Sequence, residues 1–475
     1  MSNTSQASQR IASLLDENSF VEIGSLVTAR ATDFDLKQTE TPSDGVVTGY
    51  GVIDGSLVYV YGQDASVLNG SIGEMHAKKI ANLYDLAMKT GAPVIGLLDS
   101  AGLRLQEASD ALNGFGTIYN KMAMASGVIP QITAVFGNCG GGLAVAAGLS
   151  DFTFMESKSA KLFVNSPNAL EGNSAEKCDT SAADFQASET GNVDVVADEA
   201  DILAQIRQLV SMLPANNEDD MSYEECTDDL NRACAELANC VGDTSIALSQ
   251  IADNGVFFET KAAFAKSMVT GFIKLNGMTV GAVANRTELY KDGELAEKFD
   301  AVITARGAEK AAEFVSFCDA FEIPVLTLTN TTGFAANKCA ERRIAKAVAR
   351  LSAAFASATV PKVNVIIGKA YGSAYVAMNS KGLGADICMA WPNAEIGTMD
   401  AGLAAKIMFE GKGADVISEK TAEYAALQNN VVSAAKRGYV DQIVEAVDTR
   451  KYIIGAFEML YTKREDRPVK KHGTI

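Results

Sequence analysis

The sequence is poor in histidine. It has two, His76 and His472, in 475 residues. A His-rich metal centre is nearly excluded, and a Ser-His-Asp triad would have to use one of these two. His76 falls in Gly73-Glu74-Met75-His76-Ala77-Lys78-Lys79, which reads as the N-terminal turn of a helix, and a structural hydrogen bond is expected for it there. The eight cysteines form no C-x-x-C pair, so neither a zinc ribbon nor a redox motif is supported. No secretory leader is visible. The thiols are therefore expected to be reduced and the protein cytoplasmic. Positive charge is also short: 41 Lys+Arg stand against 59 Asp+Glu, a net charge of −18. That argues against non-specific nucleic-acid or anionic-membrane binding. A small anionic ligand remains open, because it needs only a local cluster of Lys, Arg or backbone amides.

Long apolar runs are missing as well. The longest charge-free stretch, Met122 to Ser150, contains Pro130, Gln131, Asn138 and the run Gly140-Gly141-Gly142. It reads as a strand, a glycine turn and a buried helix rather than a membrane span. No G-x-x-x-x-G-K-[ST] loop and no G-x-G-x-x-G strand–helix turn occurs. Ala87-Met88-Lys89-Thr90 resembles part of a biotin-attachment sequence, but it lacks the second methionine and lies in an amphipathic helix, so Lys89 reads as a surface lysine. What is present is ordinary globular composition, 48% hydrophobic and 21% charged, in a chain long enough for more than one domain.

A long-range repeat organises that length. Ala92–Leu103 parallels Ile323–Phe334, 231 residues later. The same offset relates Pro130 to Pro361, Gly137 to Gly368 and Gly141 to Gly372. A second match, at offset 222, relates Val47-Thr48-Gly49-Tyr50 to Val269-Thr270-Gly271-Phe272. Two homologous halves are expected, 1–215 and 245–475, joined by an acidic linker and helix over 216–244. The polar segment Glu171 to Asn192 reads as a surface excursion of the first half. Each half predicts a strand hairpin, a helix, a buried strand ending in glycine, another helix, and a second buried strand ending in a glycine turn. This is an α/β grammar, compatible with a ββα superhelix as well as a doubly wound sheet.

A strand that stops at glycine and turns into a helix leaves backbone N–H groups pointing outward. Two such ends side by side form a main-chain oxyanion hole, in which each donor is worth about 3–4 kcal/mol to a developing enolate. The candidate donors lie around Gly102–Leu103 and Gly141–Gly142 in the first half, and around Gly333–Phe334 and Gly372–Ser373 in the second. After the first turn, Arg104-Leu105-Gln106-Glu107 either positions a ligand phosphate or begins a helix with solvated charges.

The chain resembles the biotin-dependent acyl-CoA carboxyltransferases, which include propionyl-CoA carboxylase β subunits and methylmalonyl-CoA decarboxylase α subunits. The resemblance runs from Arg10 to Gly473. It is carried most specifically by Gly70–Ile80, Ala92–Gln106 and Lys369-Ala370-Tyr371-Gly372-Ser373-Ala374-Tyr375, with support from Gly384-Ala385-Asp386, Ala390-Trp391-Pro392 and Thr449-Arg450-Lys451-Tyr452. It implies a tandem duplicated crotonase-type fold, with the acyl-CoA on the N-terminal half and biotin, borne by a separate carrier protein, on the C-terminal half. It also implies a homo-oligomer, usually a hexamer, with active sites between subunits, and no metal.

By resemblance, Gly102 and Leu103 with Gly141 and Gly142 stabilise the thioester enolate, while Gly333 and Phe334 with Gly372 and Ser373 hold the biotin ureido oxygen. Ala101, Arg104, Tyr371, Ala374 and Val376 are the expected substrate-binding residues. The implied partners are a biotin carrier protein plus either a biotin carboxylase or a membrane decarboxylase subunit. Four segments depart from the family pattern: Asn330-Thr331-Thr332, Ala335–Glu341, Thr398-Met399-Asp400 and Ser181–Gln186. Two other readings stay open. One is a diverged, non-catalytic acyl-CoA-binding subunit. The other is a crotonase-type hydratase or thioesterase, which would need a carboxylate or histidine near Gly102 or Gly141, with Glu107 as the candidate.

Overall fold

The computed structural model describes residues 5–30, 40–219, 225–471 and 473–475. His472 lies outside them. The chain divides into two compact units, Met1–Asp220 and Met221–Ile475. The segment after 225 is not a free linker. Cys234 and Leu237 are buried in the core of the second unit, and Cys234 N–H donates to the Val447 carbonyl.

Each unit is built on an eight-stranded sheet, and the two sheets have the same plan. In the first unit an antiparallel hairpin, Val46–Ile53 and Ser56–Gln63, leads into the parallel strands Val94–Ser100, Gln131–Gly140 and Phe152–Glu156. In the second, the hairpin Met268–Leu275 and Met278–Asn285 leads into Val325–Thr331, Lys362–Tyr371 and Ile387–Ala390. The central strands are buried along most of their length, on both faces, because helices and neighbouring segments cover the sheet on each side. The covering helices are Glu74–Thr90 and Ala108–Ala125 in one unit, and Ala305–Ala320 and Ile344–Ser357 in the other. Their apolar faces close the cores through residues such as Ile80, Leu83 and Phe115, or Phe314, Leu351 and Phe355. Each such side chain is worth about 1.5–3 kcal/mol on burial.

The duplication extends to individual hydrogen bonds. Lys79 Nζ donates to the carbonyls of Ser43 (3.0 Å) and Val46 (2.5 Å). Lys310, 231 positions later, donates to Lys261, Phe264 and Met268. Gln131 Nε2 caps the Met122 carbonyl at one helix C-terminus, and Lys362 Nζ caps Phe355 and Ala358 at the other. Asp151 accepts from the Gln131 amide as Asp386 does from that of Lys362, both at 2.8 Å. The buried ammonium groups and the Gln131 amide nitrogen are thereby paired, as burial favours, while Gln131 Oε1 is left without a partner.

The Glu171–Asn192 segment is only partly an excursion. Ala183 and Ala187 belong to the first core, and Gln186, 7% exposed, donates to the Thr180 carbonyl and accepts from Asn192. Among the described residues no helix is long and apolar enough to cross a membrane, and Gly142–Ala147 follows Gln131–Gly140 as a buried strand followed by a short helix.

Candidate active site: two paired strand ends

In both sheets the register shifts at the same place, between Leu98 and Ser100 in the first and between Thr329 and Thr331 in the second. The intervening side chains, Asp99 and Asn330, lie over Gly137 and Gly368. A Cβ on Gly137 would overlap the Asp99 carboxylate, and one on Gly368 would come within 2.5 Å of Asn330 Oδ1. This explains why those two glycines recur: their missing side chains let the neighbouring strand end lie close.

Beyond the shift, the first strand continues through Ala101, Gly102 and Leu103 and pairs with Ile72. Ile72 N–H donates to Gly102 O (2.8 Å) and Arg104 N–H to Ile72 O (3.0 Å). In a parallel bridge the residue between those two bonds turns its own amide to the opposite side, so Leu103 N–H points away from Ile72. Gly102 N–H is already used by Ser100 Oγ (3.1 Å). At the neighbouring turn, Gly141 N–H is used by Phe163 O (2.9 Å), and the helix Gly142–Ala147 begins next, leaving the Gly142 amide among its unpaired first-turn donors. The two turns are adjacent, since a Cβ on Gly102 would stand 3.5 Å from Gly140 O. The outward donors of the first unit are thus Leu103 and Gly142, while Gly102 (φ +91°) and Gly141 (φ +61°) supply backbone shape.

The second unit repeats this. Gly333–Phe334 pairs in parallel with Val302–Ile303, and Ala335 N–H donates to Ile303 O (3.0 Å). Phe334 therefore stands where Leu103 stands, with its amide turned outward. Gly372 has φ +61°, the same as Gly141, and opens the helix Gly372–Ala377, whose first turn contains the Ser373 amide. Gly142 and Ser373 are both exposed.

Of the expected substrate-binding residues, Ala101 is exposed and Val376 is 46% exposed. Ala374 is buried in the core. Tyr371 is 2% exposed, and its hydroxyl donates to Glu395; burial, together with that bond, raises its pKa. Neither reading of Arg104 describes what is found. It is 2% exposed, with Nη1 lying 2.7 Å from Asp44 Oδ1 and 2.8 Å from Glu107 Oε1, and Nη2 donating to Ser71 O at 2.6 Å. It is neither a solvated helix charge nor free for a phosphate. Glu107 is likewise buried, accepting from Arg104 and from the Glu74 amide (2.6 Å), so the candidate base of a hydratase or thioesterase is fully engaged away from the turns.

His76 makes the structural bonds expected of it. Its Nδ1 lies 3.0 Å from the Asp44 carbonyl, which can only accept, so Nδ1 carries the proton and Nε2 accepts from Gln63 Nε2 (3.3 Å). Gln63 Oε1 in turn accepts the Asp99 amide (3.2 Å), a chain that runs behind the strand end. Burial, and then the Arg104 charge, push the His76 pKa down to about 3, so the ring is neutral. Gln63 has a counterpart in Asn285, whose Oδ1 accepts the Asn330 amide (3.0 Å). This supporting layer was not anticipated from sequence, although the offsets 222 and 231 relate Gln63 to Asn285 and Lys79 to Lys310. Three of the departures from the family pattern have local structural roles. Asn337 caps the helix Lys338–Glu341, Asp400 caps Ala401–Met408, and Gln186 ties its own loop.

Residues 3–475 match the family model of the carboxyl transferase domain. The α subunit of methylmalonyl-CoA decarboxylase from Propionigenium modestum is 39% identical, over 99% of this chain and 92% of that protein. The propionyl-CoA carboxylase β chain from Roseobacter denitrificans is 40% identical, over 99% and 93%. The solved structure of transcarboxylase 12S, described as a hexamer assembly with hydrolysed methylmalonyl-coenzyme A bound, superposes with a TM-score of 0.92 at 36% identity, covering 98% of this chain and 92% of that one. The duplicated sheets with their paired strand ends are accordingly the tandem crotonase-type fold, and the chain belongs to the carboxyl transferase domain family.

Proposed function

We propose that this protein is the carboxyltransferase subunit of a biotin-dependent system, moving a carboxyl group between biotin on a separate carrier protein and the α-carbon of a short acyl-CoA of the methylmalonyl or propionyl type. The observation that carries this reading is the pair of outward amides at each doubled strand end, repeated in both units of a carboxyl transferase domain chain. In the first unit Leu103 and Gly142 N–H hold the thioester oxygen as it becomes an enolate oxygen, each donor contributing about 3–4 kcal/mol. In the second unit Phe334 and Ser373 N–H hold the ureido oxygen of biotin. That cradle fits the group, because a Cβ at Gly333 would meet nothing within 4 Å, leaving the approach to the amides open. Biotin, when bound, supplies the nitrogen that carries or releases the carboxyl group. The scheme calls on no charged side chain at either pair of amides, which accords with the engaged state of Glu107 and His76. The functional form is a homo-oligomer, with the hexamer of the transcarboxylase 12S relative as its precedent. Its partners are a biotin carrier protein and either a biotin carboxylase or a membrane decarboxylase subunit.

Incubation of the purified protein with methylmalonyl-CoA and free biotin or a biotinylated carrier tests this. Release of CO₂ with formation of propionyl-CoA, dependent on biotin, is expected. No biotin-dependent product across several short malonyl-type thioesters contradicts it, and CoA release without biotin would point instead to thioester hydrolysis.

A further inference from the structure

Arg104 grips the neighbouring segment twice. Its backbone N–H donates to Ile72 O, and its guanidinium donates to Ser71 O (2.6 Å) through Nη2 and to Ser71 Oγ (3.3 Å) through Nε. Leu103, whose amide is an outward donor, is held between the Gly102 and Arg104 bonds to Ile72. The guanidinium is itself fixed from the other side by Asp44 and Glu107, all three side chains being 1% exposed or less. Glu107 reaches onward to the Glu74 amide, and Gly73 has no side chain because a Cβ there would overlap Glu107 Oε1 and come within 2.5 Å of Arg104 Nη1. The backbone bond itself forms without this charge: in the second unit the equivalent position, 231 residues on, is Ala335, whose amide makes the same bond and whose side chain is a single methyl.

We propose that Arg104 is a positioning residue for carboxyl transfer: its guanidinium, locked by Asp44 and Glu107, clamps Ser71–Ile72 against the strand end and so aims the Leu103 amide at the thioester oxygen. This rests on the oxyanion reading above. The planar fork makes contacts in several fixed directions at once, which a lysine ammonium on a flexible stem cannot reproduce. Because an amide aimed at developing charge acts in the transition state, mis-aiming it lowers kcat and leaves ground-state binding in place.

The test is Arg104→Lys in the full-length protein, assayed with methylmalonyl-CoA and biotin. A folded variant with kcat reduced about tenfold or more, and KM for methylmalonyl-CoA within about twofold of wild type, is expected. Wild-type kcat, or a loss confined to KM, overturns the proposal, the latter because it would indicate direct ligand contact. Should Arg104→Lys fail to fold, Ser71→Ala and Glu107→Gln weaken the clamp without removing the buried cation. A lower kcat at unchanged KM and unfolding midpoint supports the proposal, and wild-type kcat in both overturns it. Wild-type protein inactive on all short malonyl-type thioesters would instead remove the oxyanion reading, a result distinct from an active wild type matched by an equally active Arg104→Lys.

Discussion

The two strand ends have one backbone and two different supports. Behind the first stand Arg10, Asp44, His76, Arg104 and Glu107, all buried. At the positions 231 residues after His76, Arg104 and Glu107 the second unit has Gly307, Ala335 and Lys338. Asp99, which lies 3.7 Å from Arg10, is replaced by Asn330, whose Oδ1 accepts the Lys369 amide (3.0 Å). Thr332 Oγ1 and the Thr332 amide tie the second turn to Ala301 O, with no ion pair involved. Because the proposed donors are main-chain N–H groups, the side chains behind them can change from ionic to neutral while the donors keep their places. On the proposed function, the Asn330 departure changes a brace and removes no reactive group.

The largest test of this comparison is a matched pair, Gly141→Val and Gly372→Val. Both positions need φ near +61°, which a β-branched residue strongly disfavours. The peptide that follows would rotate and mis-aim the Gly142 or Ser373 amide. Each variant is expected to lose about 100-fold or more in carboxyl transfer with oligomeric assembly retained. A silent Gly372→Val would show that only the first turn is catalytic, as in a diverged subunit.

The buried lysines sharpen the comparison next. Lys310 donates to three carbonyls and Lys79 to two, and each carbonyl left without a donor costs about 1–3 kcal/mol. Lys310→Met should lower the denaturation midpoint more than Lys79→Met; the reverse order would contradict the reading of the two as equivalent staples.

Acid should weaken the first unit through His76. Its pKa is about 3 in the fold, against an ordinary value of 6.5, so the unfolded chain binds the extra proton between those values. Stability from this group is then fully present above about pH 6.5 and declines by at most about 1.4 kcal/mol per pH unit as pH falls toward 3. Asp44, whose pKa burial raises, acts in the opposite sense. The difference in slope between wild type and His76→Asn, followed by urea unfolding between pH 4 and 7, isolates the histidine, and equal slopes would remove it as the cause. The smallest effect belongs to Asp400→Ala, which deletes a helix cap and should cost about 1 kcal/mol with turnover within about twofold, as measured by thermal unfolding and assay.

Much of this was legible in the sequence, because the repeat marks the hairpins at offset 222 and the parallel strands and all four glycine turns at offset 231. The supporting layer was harder to see. Arg104 and Glu107 look like helix-start surface charges until Asp44, some sixty residues earlier, is brought against them. The buried end of the 171–192 segment is hidden for a related reason: Ser, Ala and Asp signal exposure by composition, whereas Ala183 and Ala187 pack into the core through contacts that no local pattern records. Which amide of each glycine pair faces outward is hidden as well, since it depends on the Ile72 and Phe163 bonds in the first unit and the Ile303 bond in the second.

The central claim is that main-chain N–H groups do the chemistry, and Ser373 allows it to be tested with one atom pair. Proline is tolerated in the first turn of a helix and removes only the amide donor and the native side chain, while Ser373→Ala removes the hydroxyl and keeps the donor. Transfer of a labelled carboxyl group from methylmalonyl-CoA to a biotinylated carrier is predicted to be near wild type for Ser373→Ala and about 100-fold lower for Ser373→Pro. Equal loss in both variants would assign the role to the hydroxyl, and full activity of folded Ser373→Pro would contradict the account.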